Sequence, residues 1–143
     1  MNHLEATKSD VKVSASVATN ATHSHEIDTV GYGYLSVDVA FSPFATATSS
    51  YATVLKLQES DTAGSGQVDI PGMTVTAGAG STTGAKAGAV ARFNVDLRGS
   101  KRYVTVVATP GNSASVVTAA RLGKANDMPY KAANAGVNDW VSG

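Results

Sequence analysis

The feature that most constrains this chain is an apolar alternation of period two that returns in segment after segment, in place of the 3.6-residue period of a helix face. Side chains at i and i+2 share one side of an extended strand, so the alternation predicts strands with one buried face. Val11, Val13, Ala15 and Val17 alternate with Lys12, Ser14 and Ser16, which puts the valines inward. Leu35, Val37, Val39 and Phe41 likewise oppose Ser36 and Asp38. Over residues 51–58, Lys56 and Gln58 turn Leu55 and Leu57 inward, because charged and amide groups are costly to bury. The clearest strand sets Ala91, Phe93, Val95 and Leu97 against Arg92, Asn94, Asp96 and Arg98. Val- and Thr-rich stretches at 103–109 and 115–120, with short pieces at 68–70 and 73–76, complete seven or eight strands. The expected fold is all-β, an antiparallel β-sandwich.

The spacers carry turn chemistry. Pro71-Gly72 and Pro110-Gly111-Asn112-Ser113 read as tight turns, since Pro presets φ and Gly accepts positive φ. Arg98-Gly99-Ser100-Lys101-Arg102 separates two strand patterns at hairpin distance, which predicts direct pairing of 93–97 with 103–107. Residues 78–88 are low in complexity and read as an exposed loop. This divides the chain into a polar N-terminal arm (1–10), a sandwich domain (11–123) and an extended C-terminal arm (124–143). The last of these holds the single Trp, and Met128, Tyr130, Val137, Trp140 and Val141 are its candidate anchors, for an arm that folds back on its own sandwich, docks on a neighbouring subunit or stays disordered.

Composition narrows the function. The chain has 143 residues, enough for one core, but only 6% are aromatic against 43% hydrophobic, so the core is built of small side chains. Charged residues are 15%, where about 25% is usual, and 11 basic residues balance 11 acidic ones. A basic nucleic-acid-binding surface is therefore not expected. Neither is a membrane span, for no apolar run approaches about 20 residues; Met1 to Lys8 lack a signal-peptide core, so a secreted product is not expected either. Without cysteine there are no disulfides, no Cys-ligated zinc and no thiol catalysis. Sparse, balanced charge gives weak self-repulsion and suits a protein used inside an assembly.

The chemistry-bearing patterns are weak. His23 and His25 would share a face of an extended segment, and Glu26 and Asp28 could complete a metal sphere, but no third His stands in a matching motif. Gly80 and Gly84 enclose three residues and Ala85 precedes Lys86, so the glycine-rich stretch departs from a phosphate-binding loop. There is no Gly-x-Ser-x-Gly elbow, Glu59 and Asp61 read as turn caps, and Asn20-Ala21-Thr22 reads as an accidental sequon. No catalytic, cofactor-binding or metal-ligating residue is expected. Arg92, Arg98, Lys101 and Arg102 form the one local basic excess, with Asp96 among them. They read as a cross-strand-paired face or as a contact for an acidic protein surface, which makes Arg98 and Arg102 interface candidates.

Three stretches in order carry a resemblance: Glu26-Ile27-Asp28-Thr29-Val30-Gly31-Tyr32, then Val54-Leu55-Lys56-Leu57-Gln58-Glu59-Ser60-Asp61, then Arg92-Phe93-Asn94-Val95-Asp96-Leu97-Arg98-Gly99-Ser100-Lys101-Arg102-Tyr103. Together they resemble small tailed-phage virion proteins of the capsid decoration, or cement, group over about residues 26–123. The resemblance implies a sandwich of jelly-roll type on the outer capsid surface of the virion, made in the host cytoplasm. It also implies the major capsid protein and the chain itself, as a homotrimer, for partners, with no catalytic residue to carry over. The rival expectations are a carbohydrate-binding sandwich module and another virion part, such as a head-fibre or tail subunit. Sandwiches that bind glycans display aromatic platforms, and here most aromatics fall within strand patterns.

Overall fold

The computed structural model describes residues 7–44, 50–75 and 88–125. Its strands are β1 (Lys8–Val17), β2 (His23–Asp28), β3 (Tyr32–Phe41), β4 (Ala52–Ser60), β5 (Val68–Thr74), β6 (Ala89–Asp96), β7 (Tyr103–Pro110) and β8 (Ala114–Ala125). Four antiparallel pairs nest within one another: β1 with β8, β2 with β7, β3 with β6, β4 with β5. Rolling this ribbon brings β8 against β3 and β7 against β4. The result is two four-stranded sheets, a first in the order β1-β8-β3-β6 and a second in the order β2-β7-β4-β5. That order is the jelly-roll arrangement of an all-β sandwich.

The core follows the alternation. Ile27, Leu35, Val37, Val39, Leu57, Val104, Val106, Val116 and Leu122 are fully buried between the sheets, each worth roughly 1.5–3 kcal/mol of burial. Leu55 and Leu57 point inward as Lys56 and Gln58 require. Gly88, at φ +89°, opens β6 where an added Cβ would lie 3.0 Å from the Phe41 carbonyl oxygen, so the close approach of β6 to the end of β3 needs a residue without one.

Three expectations are corrected. The hairpin between 93–97 and 103–107 does not form, because β6 pairs with β3 while β7 pairs with β2 and β4. Residues 98–102 instead carry the chain between sheets, held by Thr29 N–H to the Arg102 carbonyl at 3.0 Å and Leu97 N–H to the Gly33 carbonyl at 3.0 Å. Pro71-Gly72 is not a turn between two strands but lies within β5, where the register with β4 slips between Lys56 and Gln58. A bulge on an edge strand accepts both residues. The facing of β1 is reversed at Val11 and Val13, which are 55% and 62% exposed, while Asp10, Lys12 and Ser14 stand opposite the inward Ala120, Thr118 and Val116; past the register shift after Ser14, Val17 is buried as expected. The strand boundaries also reach past the sequence divisions, with Lys8 to Asp10 in β1 and Lys124 and Ala125 in β8. The remainder of both arms (1–6 and 126–143), and the glycine-rich residues 78–87, lie outside the described residues.

Candidate functional site

The reversal of β1 is explained by what it faces. On β2, His23 and His25 point into the sandwich at 2% and 5% exposure, so Glu26, between His25 and Ile27, is turned the other way and cannot share a metal with them. Both imidazoles converge on one hydroxyl of β8: His23 Nε2 is 3.0 Å and His25 Nδ1 2.7 Å from Thr118 Oγ1. Their outer nitrogens meet β1, with His23 Nδ1 2.7 Å from Ser14 Oγ and His25 Nε2 2.9 Å from Asp10 Oδ1. A carboxylate only accepts, which fixes the direction of the whole chain when both rings are neutral. Ser14 donates to His23, His23 Nε2–H to Thr118, Thr118 to His25, and His25 Nε2–H to Asp10. Lys12 closes the same edge by donating to the Ser24 carbonyl. All four ring nitrogens are thus satisfied within the protein, and burial, then the charge of Lys12, then His25, lowers the His23 pKa to about 4.

Asp10, His25 and Thr118 have the connectivity of an acid–base–nucleophile trio. Thr118 is fully buried and already shared with His23, so its hydroxyl is closed to any substrate. The network seals the β1–β2 edge of the sandwich. Among the described residues no group of three or more His, Asp or Glu side chains is placed to hold a metal ion.

The basic cluster is spread out and neutralised. Arg92 grips Asp38 with two bonds of 2.6 and 2.8 Å, Arg102 grips Asp28 at 3.0 and 2.8 Å, Arg98 pairs with Asp96, and Lys101 lies 3.4 Å from Asp61. Each guanidinium holds its carboxylate below the usual range, that of Asp96 at about 2. Of the expected interface residues, Arg98 and Arg102 are therefore committed within the chain. Met128, Tyr130, Val137 and Trp140 lie outside the described residues.

The outer faces of the two sheets differ. On the second sheet, Lys56 and Gln58 both bind Asp69, and Gly64 N–H reaches across β7 to Glu26 Oε2 at 2.8 Å, laying residues 61–66 over the face. Thr105 is accordingly buried although it points outward. Among the described residues, no loop is bonded across the outer face of the first sheet. Its registers align Val13, Val117, Ala40 and Val90 in one cross-strand row, the outer two 62% and 69% exposed. The next row is Val11, Ala119, Asp38 and Arg92, and the next Ser9, Arg121, Ser36 and Asn94. A shallow depression of about 540 Å³ opens over the last two rows and Tyr34. Outward residues of an antiparallel sheet are ordinarily polar, so a valine row is the departure here. Arg121, which no sequence pattern singled out, is the one described arginine without a carboxylate: its cross-strand neighbours are serines, and Asp38 is held by Arg92.

No family model and no curated protein matches the chain. Among solved structures it is similar, at 11% identity and a TM-score of 0.39, to one from work on Bacillus endospore appendages, described as a family of disulfide-linked pili. The match covers 86% of this chain and 93% of that one, and at this score it bears on no function.

Proposed function

We propose that this chain is a tailed-phage virion structural protein that decorates and cements the outer capsid surface, bridging major capsid subunits as a symmetric oligomer, a homotrimer. It acts by presenting a stiff surface and transforms no molecule. The observation that carries this reading is the outer face of the first sheet, uncovered by the described residues, whose exposed Val11, Val13 and Val90 stand on a sandwich closed at its β1–β2 edge by hydrogen bonds. The resemblance over residues 26–123 supplies the setting. Contacts that are weak singly hold firmly when a symmetric oligomer engages several subunits at once. In this proposal Met128, Tyr130, Val137 and Trp140 add contacts from the C-terminal arm.

The test is cosedimentation of the purified full chain with undecorated shells of tailed phages, with cryo-EM of any decorated particle and a mass by analytical ultracentrifugation. Saturable binding at symmetry-related positions by an oligomer is expected. A monomer that binds no shell refutes the reading. The depression lined by Tyr34, Ser36 and Arg121 favours a second reading, a glycan-binding module, and hits on a glycan array that vanish in Arg121→Gln would favour it instead.

A further inference from the structure

We infer that the outer face of the β1-β8-β3-β6 sheet docks a protein partner that presents a carboxylate among small apolar side chains, with Arg121 receiving the carboxylate. The inference rests on the proposed capsid-decorating role and names the surface and chemistry of that attachment.

Charge accounting points to the partner. The described residues include eight carboxylates, and each already has a protein partner: Asp10, Glu26, Asp28, Asp38, Glu59, Asp61, Asp69 and Asp96. No described carboxylate of this chain, nor of a second copy presenting the same residues, is left to meet Arg121. A different protein bearing an acidic side chain supplies one, and a planar guanidinium suits bidentate capture of a carboxylate. In the row next to Arg121 stand Val11 and Ala119, and one row further Val13, Val117, Ala40 and Val90, which together call for small apolar groups on the partner.

Area sets the strength. Four strands about 4.8 Å apart and some eight residues of about 3.4 Å rise give a face of about 500 Å². A stable pair buries about 800 Å² per partner. One such face is too small for a lasting two-body complex, but it suits a contact repeated by symmetry, as decoration requires.

The experiment is an NMR titration of ¹⁵N-labelled full chain with acetyl-Val-Ala-Glu-Ala-Val-amide and with its Lys counterpart, each to about 10 mM to reach weak binding. The Glu peptide is expected to shift amides of β1, β8 and β3 around Arg121, the Lys peptide not, and Arg121→Gln to remove the response. Equal responses to both peptides, none to either, or shifts confined to the second sheet overturn the inference. In cosedimentation with undecorated shells, Arg121→Glu and Val13→Asp, both outward changes, are expected to weaken binding by about tenfold or more. Lys56→Glu on the other sheet is expected to leave it unchanged. Shell binding that survives both first-sheet variants overturns the docking face while leaving the decoration role standing. Absence of shell binding by the unaltered chain, with the peptide response intact, sinks the decoration role and leaves the face's chemistry established. An oligomer that Val13→Asp converts to monomer makes the face a self-contact and overturns the separate partner.

Discussion

Acidification is expected to loosen this fold through His23 before Asp28, Asp38 and Asp96 give way. The imidazole is 2% exposed, wedged between Ser14 and Thr118 with Lys12 and His25 close by, and its pKa falls from 6.5 to about 4 on folding. Above pH 6.5 both folded and unfolded chains carry it neutral, and its contribution is complete. Between 6.5 and about 4 the unfolded chain takes up the proton and the folded chain resists, so stability drains as pH falls across that window and levels off beneath it. At about 1.4 kcal/mol per pH unit, the shift is worth about 3 kcal/mol. Asp28, Asp38 and Asp96, whose pKa values are lowered by their arginines, give up their contributions only as pH drops below 3.8. Urea unfolding followed by far-UV circular dichroism, at steps from about pH 7.5 to about 4.5, reads the slope directly. His23→Gln cannot titrate and retains hydrogen-bonding groups; it is expected to be less stable near neutrality yet flatter by most of that amount. If His23→Gln keeps the full slope, or the unaltered chain loses less than about 1 kcal/mol across the window, the reasoning fails.

Thr118→Val preserves shape but strips both imidazoles of their shared partner, with an expected loss of about 2–3 kcal/mol in chemical denaturation; a loss under about 1 kcal/mol would mean the histidines find other partners. Leu57→Ala, in the fully buried centre of β4, is expected to cost about 2–5 kcal/mol. Gly88→Ala must bring a Cβ to 3.0 Å from the Phe41 carbonyl oxygen at φ +89°, and an expected cost of about 1–3 kcal/mol is checked by the melting temperature.

The strands most legible in the sequence are those whose inward side chains meet hydrocarbon. In β3, β4 and β6 the alternating residues Leu35, Val37, Val39 and Phe41, Leu55 and Leu57, and Phe93 and Val95 are buried as read, although Val54 and Val90 face outward. In β1 the apolar and buried sets part at Val11 and Val13, because the inner face there meets His23 and His25 at the sandwich margin, where Ser14 and Asp10 are the better neighbours, and they agree again at the buried Val17, past the register shift. Alternation reports which side chains differ, and burial is inferred only by assuming an oily interior. For the same reason β2 hides: two of its three inward residues are histidines. The Arg98–Arg102 connection was open to misreading because five residues suit a hairpin and also span the roughly 10 Å between stacked sheets. On the candidate site, adjacency in sequence misleads about charge. The clustered arginines each find a carboxylate nearby, whereas Arg121, alone in its stretch, is left free by a register that surrounds it with serines.

The nested pairing also decides how the subunit bears load. Lys8 sits opposite Leu122, so the strands that begin and finish the described domain emerge from one corner. Antiparallel hydrogen bonds run perpendicular to their strands, and a pull applied through that corner would open β1 from β8 like a zipper, one bond at a time. Tension spread across a sheet's flat side is instead shared by every strand beneath it. In the proposed decorating role, a particle under internal pressure would draw its reinforcement from the broad side of the sandwich rather than from this corner.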